Sequence, residues 1–103
     1  MNFNEYQDKT SKTVKNSIKN NKTYFALGLC GEAGEVADKI KKGIRDGNLD
    51  VHSLMLELGD VMWYLAQLSA CYGIRLEKIA DANIEKLSSR KKRDVIGGNG
   101  DER

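Results

Sequence analysis

The chain has 103 residues, 40% apolar and 31% charged, the make-up of one small globular domain rather than a disordered segment. Its net charge of +2 is too small to mark a nucleic-acid binder. The longest uncharged apolar-leaning run, Val61 to Ile74, falls short of the roughly 20 residues a membrane helix needs. Proline is absent and no turn dipeptide is flanked by alternating strands, so the expected fold class is all-α: an antiparallel bundle of about four helices.

The first helix is predicted over Phe3 to Ile18, with Phe3, Tyr6, Thr10, Val14 and Ile18 as its semi-apolar stripe. The start of the chain, MNFNEYQDKT, lacks the apolar core of a secretory signal, which points to a cytoplasmic protein. A polar loop, SIKNNK, follows the first helix. Thr23 is the expected N-cap of the second, which runs to about Arg45 with Phe25, Leu29, Ala33, Val36 and Ile40 facing the core. Asp46-Gly47-Asn48 breaks the chain, and Asp50 is placed to cap a third helix that ends at Tyr72-Gly73. The fourth helix spans about Leu76 to Lys92, with Leu76, Ile79, Ala80, Ile84 and Leu87 inward. Residues 1–93 thus form the helical domain, and 94–103 a mobile Gly-rich tail. Cys30 and Cys71 lie in apolar helical patterns and are expected to be buried, reduced thiols. The third helix is apolar around nearly its whole circumference. One small bundle cannot cover it, so a homodimer or a dimer of dimers is expected.

Between Val51 and Tyr72 only Glu57 and Asp60 carry a formal charge. A charge on so apolar a helix is costly to bury unless something pairs with it. Glu32 and Glu35 on the second helix repeat the same three-residue step. Residues three apart lie near one another on a helix face, so each pair points together and two antiparallel helices can bring the pairs to one groove. Four carboxylates repel unless a cation joins them, and all-oxygen ligation favours Mg²⁺, with Mn²⁺ as substitute. A di-iron bundle would call for Glu-x-x-His, and the only histidine, His52, does not follow a glutamate by three. An isolated Glu-x-x-Glu is usually a solvated face; the apolar setting of Glu57 and Asp60 is what favours a metal.

Lys39 and Lys42 continue the Glu32–Glu35 face. Intrahelical pairing of Glu35 with Lys39 is the simplest role and contact of both lysines with a polyphosphate the functional one. On the fourth helix Asn83, Lys86 and Arg90 share a face, and a guanidinium and an ammonium beside a metal suit phosphate oxygens. Lys91, Lys92 and Arg93 are read as complementing the helix dipole, and no stable nucleic-acid binding is expected.

Together Glu32-x-x-Glu35 and Glu57-x-x-Asp60, within GLCGEAGEVADKIKK and ELGDVMWYLA and followed by NIEKLSSR, resemble the MazG-type all-α nucleoside triphosphate pyrophosphohydrolases. The resemblance implies Mg²⁺ ligands at Glu32, Glu35, Glu57 and Asp60, and substrate contacts from Asn83, Lys86 and Arg90. It also implies an aromatic group near the nucleotide at Tyr64. The implied reaction is Mg²⁺-dependent hydrolysis of a nucleoside triphosphate to a monophosphate and pyrophosphate, removing unwanted nucleotides. One of the four carboxylates, with Glu35 the first candidate, is expected to act as general base, with Lys39 and Lys42 near the phosphates. Trp63 and Tyr64 are candidates to stack on a base, with packing placed first for Trp63. Two other readings stand beside this one: a non-enzymatic helical interaction module, and a phosphoribosyl-ATP or dUTP-type pyrophosphatase of the same fold.

Overall fold

A computed structural model describes residues 1–103 as four α-helices and no strand. They are α1 (Phe3–Ser11), α2 (Lys22–Asp46), α3 (Val51–Cys71) and α4 (Leu76–Lys92), with a 3₁₀ turn at Asn16–Ile18 between α1 and α2. Helices α2 and α3 form a long hairpin that holds most of the tertiary contact. Gly47 closes α2 at a φ of 76°, a left-handed conformation that costs glycine little. Three residues later the Asp50 carboxylate accepts hydrogen bonds from the His52 and Ser53 N–H groups and starts α3.

Two boundaries differ from the periodicity. Helix α1 stops at Ser11 rather than Ile18. The Thr10 and Ser11 hydroxyls both donate to the Gln7 carbonyl, and Thr13 donates to the Thr10 carbonyl. Such side-chain bonds compete with helix propagation and end the element. The N-cap of α2 is Asn21 rather than Thr23: its side-chain oxygen accepts from the Tyr24 N–H at 3.0 Å. Asparagine caps at least as well as threonine, and Asn20 at a φ of 60° turns the chain into position.

Polar pins rather than apolar burial join α1 to the rest. Gln7 is 2% exposed. Its amide donates to the Ala66 and Ile74 carbonyls, and its oxygen accepts from the Leu76 N–H at 2.9 Å. One side chain thus ties α1 to the corner where α3 gives way to α4. Nearby, Gln67 donates to the Thr10 and Ser11 hydroxyls.

The apolar core is small. Only Phe25, Ala66 and Leu76 are buried among apolar residues. The radius of gyration is 16.3 Å, against about 13 Å for a compact domain of this length. Helix α4 packs at its start, through Leu76, and then leaves the hairpin. Ile84 and Leu87, expected inward, are exposed, Ile84 at 64%. Cys30, expected buried, lies exposed on α2, and Cys71 is half-buried; both thiols are free. Residues 94–103 fold back on the end of α4. Arg90, 5% exposed, donates to the Gly100 and Asp101 carbonyls, and Arg103 donates to the Val95 and Ile96 carbonyls.

Candidate metal centre

The α2–α3 hairpin brings Glu32 from one helix against Glu57 and Asp60 from the other. One carboxylate oxygen from each lies within 4.8 Å of the others. Glu32 and Glu57 are half-buried and Asp60 is exposed, so the trio has a protein side and a solvent side. Partial burial, then the charges of Asp60, Glu57 and Glu35, push the Glu32 carboxyl above its usual range. Negative charge is therefore in excess here, and a hard cation relieves it with an all-oxygen donor set. The residues present fit Mg²⁺ or Mn²⁺.

Glu35 is not one of the trio. It is exposed on α2, one turn from Glu32 and near enough to act on it electrostatically. Lys39 sits 3.9 Å from Glu57 and is the cation nearest the carboxylates. Lys42 turns toward Asp38 at 2.7 Å, an i,i+4 pair on the solvent side of α2. That bond holds the Asp38 carboxyl below its usual range, helped by Lys41.

Tyr64 lies one turn beyond Asp60 on α3. Its ring rests against α2 at Gly28, where a Cβ would overlap the ring, so only glycine permits this approach. The neighbouring Tyr24 hydroxyl, burial and the nearby Glu32 and Asp60 carboxylates hold the Tyr64 phenol above its ordinary range, so it stays protonated. Tyr24, Phe25, Trp63 and Tyr64 form one aromatic cluster beside the carboxylates. On the other side, burial and then Asp60 raise the Tyr6 phenol, which places α1 at the edge of the centre. A cavity of about 390 Å³ opens from the carboxylates toward the aromatics, lined by Thr13, Glu32, Asp60, Trp63 and Tyr64.

The α4 residues stand apart from this cavity. Asn83 is exposed, Lys86 pairs with Asp101 at 3.2 Å, and Arg90 is enclosed by the tail with its Nε buried and unpartnered. Within one chain Lys86 and Arg90 bond to the tail, and none of the three lines the cavity beside Glu32 and Asp60. Sequence reasoning did not single out Thr13 as a site residue. It lies 50 residues from its partner Trp63, in a stretch with no motif, and only the docking of α1 on α3 brings the two together.

The family model described as the MazG nucleotide pyrophosphohydrolase domain matches residues 20–95. The chain is similar to the Gene 37 protein of Mycobacterium phage L5, at 46% identity over 86 residues. That match covers 79% of this chain and 75% of the phage protein. No solved structure matches.

Proposed function

The chain belongs to the MazG nucleotide pyrophosphohydrolase family, and on that footing we propose that it hydrolyses nucleoside triphosphates between the α and β phosphates. The products are a nucleoside monophosphate and pyrophosphate. The observation that carries this reading is the convergence of Glu32, Glu57 and Asp60 within 4.8 Å across two helices. Mg²⁺ held there would neutralise phosphate charge and make a bound water more acidic.

The chain's own groups do the rest. Glu35, beside the trio and outside it, has an unshared carboxylate to take the proton of the attacking water. As the water oxygen bonds the α-phosphorus, the bond from that phosphorus to the bridging oxygen breaks and pyrophosphate leaves. Lys39, 3.9 Å from Glu57, would balance charge on the leaving group, and Lys42 would join it by releasing Asp38. Tyr64, protonated, offers a donor next to the carboxylates.

A second copy of the chain belongs to this reading. Leu27, Ile44, Met55, Leu56, Leu58 and Ile84 are each about half to four-fifths exposed on the single chain. That area, with the expanded radius of gyration, supports an obligate homodimer or homotetramer. Asn83, Lys86 and Arg90, remote from the carboxylates of their own chain, would then serve a partner's phosphates.

The test is a substrate panel of standard and modified nucleoside triphosphates with Mg²⁺, read for pyrophosphate and for orthophosphate. Stoichiometric pyrophosphate and monophosphate, abolished by a chelator, are expected. Orthophosphate release, or no turnover at all, would overturn the proposal. The panel also separates it from a phosphoribosyl-ATP or dUTP-specific enzyme and from a helical interaction module.

A further inference from the structure

Nothing in the proposed chemistry uses Trp63, yet its placement is specific. Trp63 follows Asp60 by three residues on α3, so its ring flanks the carboxylates and lines the same cavity of about 390 Å³. Its indole N–H donates to the Thr13 hydroxyl at 2.7 Å, and that hydroxyl donates to the Thr10 carbonyl at 2.7 Å. The polar edge of the ring is therefore held by a two-bond chain that ends on the α1 backbone. Phe25 and Tyr64 meet it at interplanar angles of 64° and 80°. Neither lies parallel on the indole.

We propose that Trp63 is the stacking wall for the base of the bound nucleotide, and that Thr13 is the residue that positions it. This rests on the nucleotide reading above and deepens it. In a nucleotide the sugar is the only spacer between the α-phosphate and the base. A ligand whose phosphate sits at Glu32 and Asp60 therefore has its base within the same cavity. Two aromatic rings line that cavity, Trp63 and Tyr64. The Tyr64 ring is pressed against Gly28, whereas Trp63 lines the cavity with its N–H fixed by Thr13, which lines the cavity beside it. Because its N–H is spent on Thr13, Trp63 can stack but cannot read a base edge. Stacking tolerates any base, so affinities for the four standard bases fall within about tenfold of one another.

Trp63 is the only tryptophan, so its emission reports this site alone. The experiment titrates the full chain, with Mg²⁺, against α,β-methylene nucleoside triphosphates and against inorganic tripolyphosphate. Calorimetry follows binding in parallel. The nucleotides are expected to quench emission at least twofold, and tripolyphosphate to bind without quenching. Thr13→Val is expected to raise KM about tenfold with kcat within twofold of wild type, and Thr13→Ser to restore it. Trp63→Leu is expected to weaken nucleotide binding by about 5- to 100-fold and to leave tripolyphosphate binding unchanged. Nucleotide binding with unchanged emission would overturn the stacking assignment and leave pyrophosphohydrolysis standing. A hundredfold preference for one base would overturn the stacking-only role. A Thr13→Val protein with wild-type KM would remove Thr13 from it. Failure of every nucleotide to bind would instead remove the nucleotide reading itself, and this inference with it.

Discussion

Glu57 and Asp60 are the residues whose chemistry and setting conflict most. A three-residue step on an apolar helix already says that they share a face and need a partner. Which residues of α2 meet them depends on how far one helix slides along the other. No local pattern carries that information, and it decides that Glu32 joins the trio while Glu35 stands beside it. The distinction is testable. Glu57→Gln and Asp60→Asn should each lower kcat/KM about 100-fold or more with an unchanged helical circular-dichroism spectrum. Glu35→Gln should lower kcat by about as much while leaving divalent-cation affinity within a few-fold of wild type. Equal loss of cation affinity in all three variants would place Glu35 among the ligands instead. The cations illustrate the same limit. The i,i+4 pairing of Lys42 is legible in its spacing, but its partner is Asp38, where the Glu32–Glu35 face draws attention to phosphate contacts.

At the level of the helices, breaks and caps written in short polar stretches determine most of the outcome. Asp46-Gly47-Asn48 and Asp50 mark the hairpin turn, and both act as their chemistry suggests. The end of α1 was not legible, because threonine and serine hydroxyls back-bond to their own helix only in a particular local geometry. Nor was the docking of α1, which depends on Gln7, a residue ordinarily assigned to the surface. Gln7→Leu would leave the buried Leu76 N–H without its acceptor. The expected loss is about 1–3 kcal/mol, or about 4–8 °C in melting temperature for each kcal/mol in a domain of this size. Thermal denaturation measures it, and a variant as stable as wild type would show that the pin is dispensable. The same undocking would release Thr13 from Trp63, so Gln7→Leu should also raise the KM for nucleotides.

For the whole molecule, the governing fact is that three apolar side chains are buried while many large ones, Leu27, Ile44 and Ile84 among them, are exposed. The excess of apolar positions on α3 is visible in composition alone; on the proposed reading the surface that covers it belongs to a second copy, which one chain's sequence does not display. The radius of gyration of 16.3 Å and the exposed apolar side chains support the proposed assembly of copies. Its melting temperature should therefore rise with protein concentration, and sedimentation should find two or four copies at micromolar concentration. A concentration-independent melt with a monomeric sedimentation coefficient would contradict this. If the α4 cations serve a partner's phosphates as proposed, dilution below the dissociation constant should remove activity as well as stability.

Cation binding bears most directly on the chemistry, and it can be measured without any substrate. Mn²⁺ titrated into the protein and followed by electron paramagnetic resonance, with Mg²⁺ as competitor, should show saturable binding that Asp60→Asn weakens at least tenfold in a folded protein. Binding that is absent, or equally strong in Asp60→Asn, would mean that Glu32, Glu57 and Asp60 meet for some reason other than holding a metal.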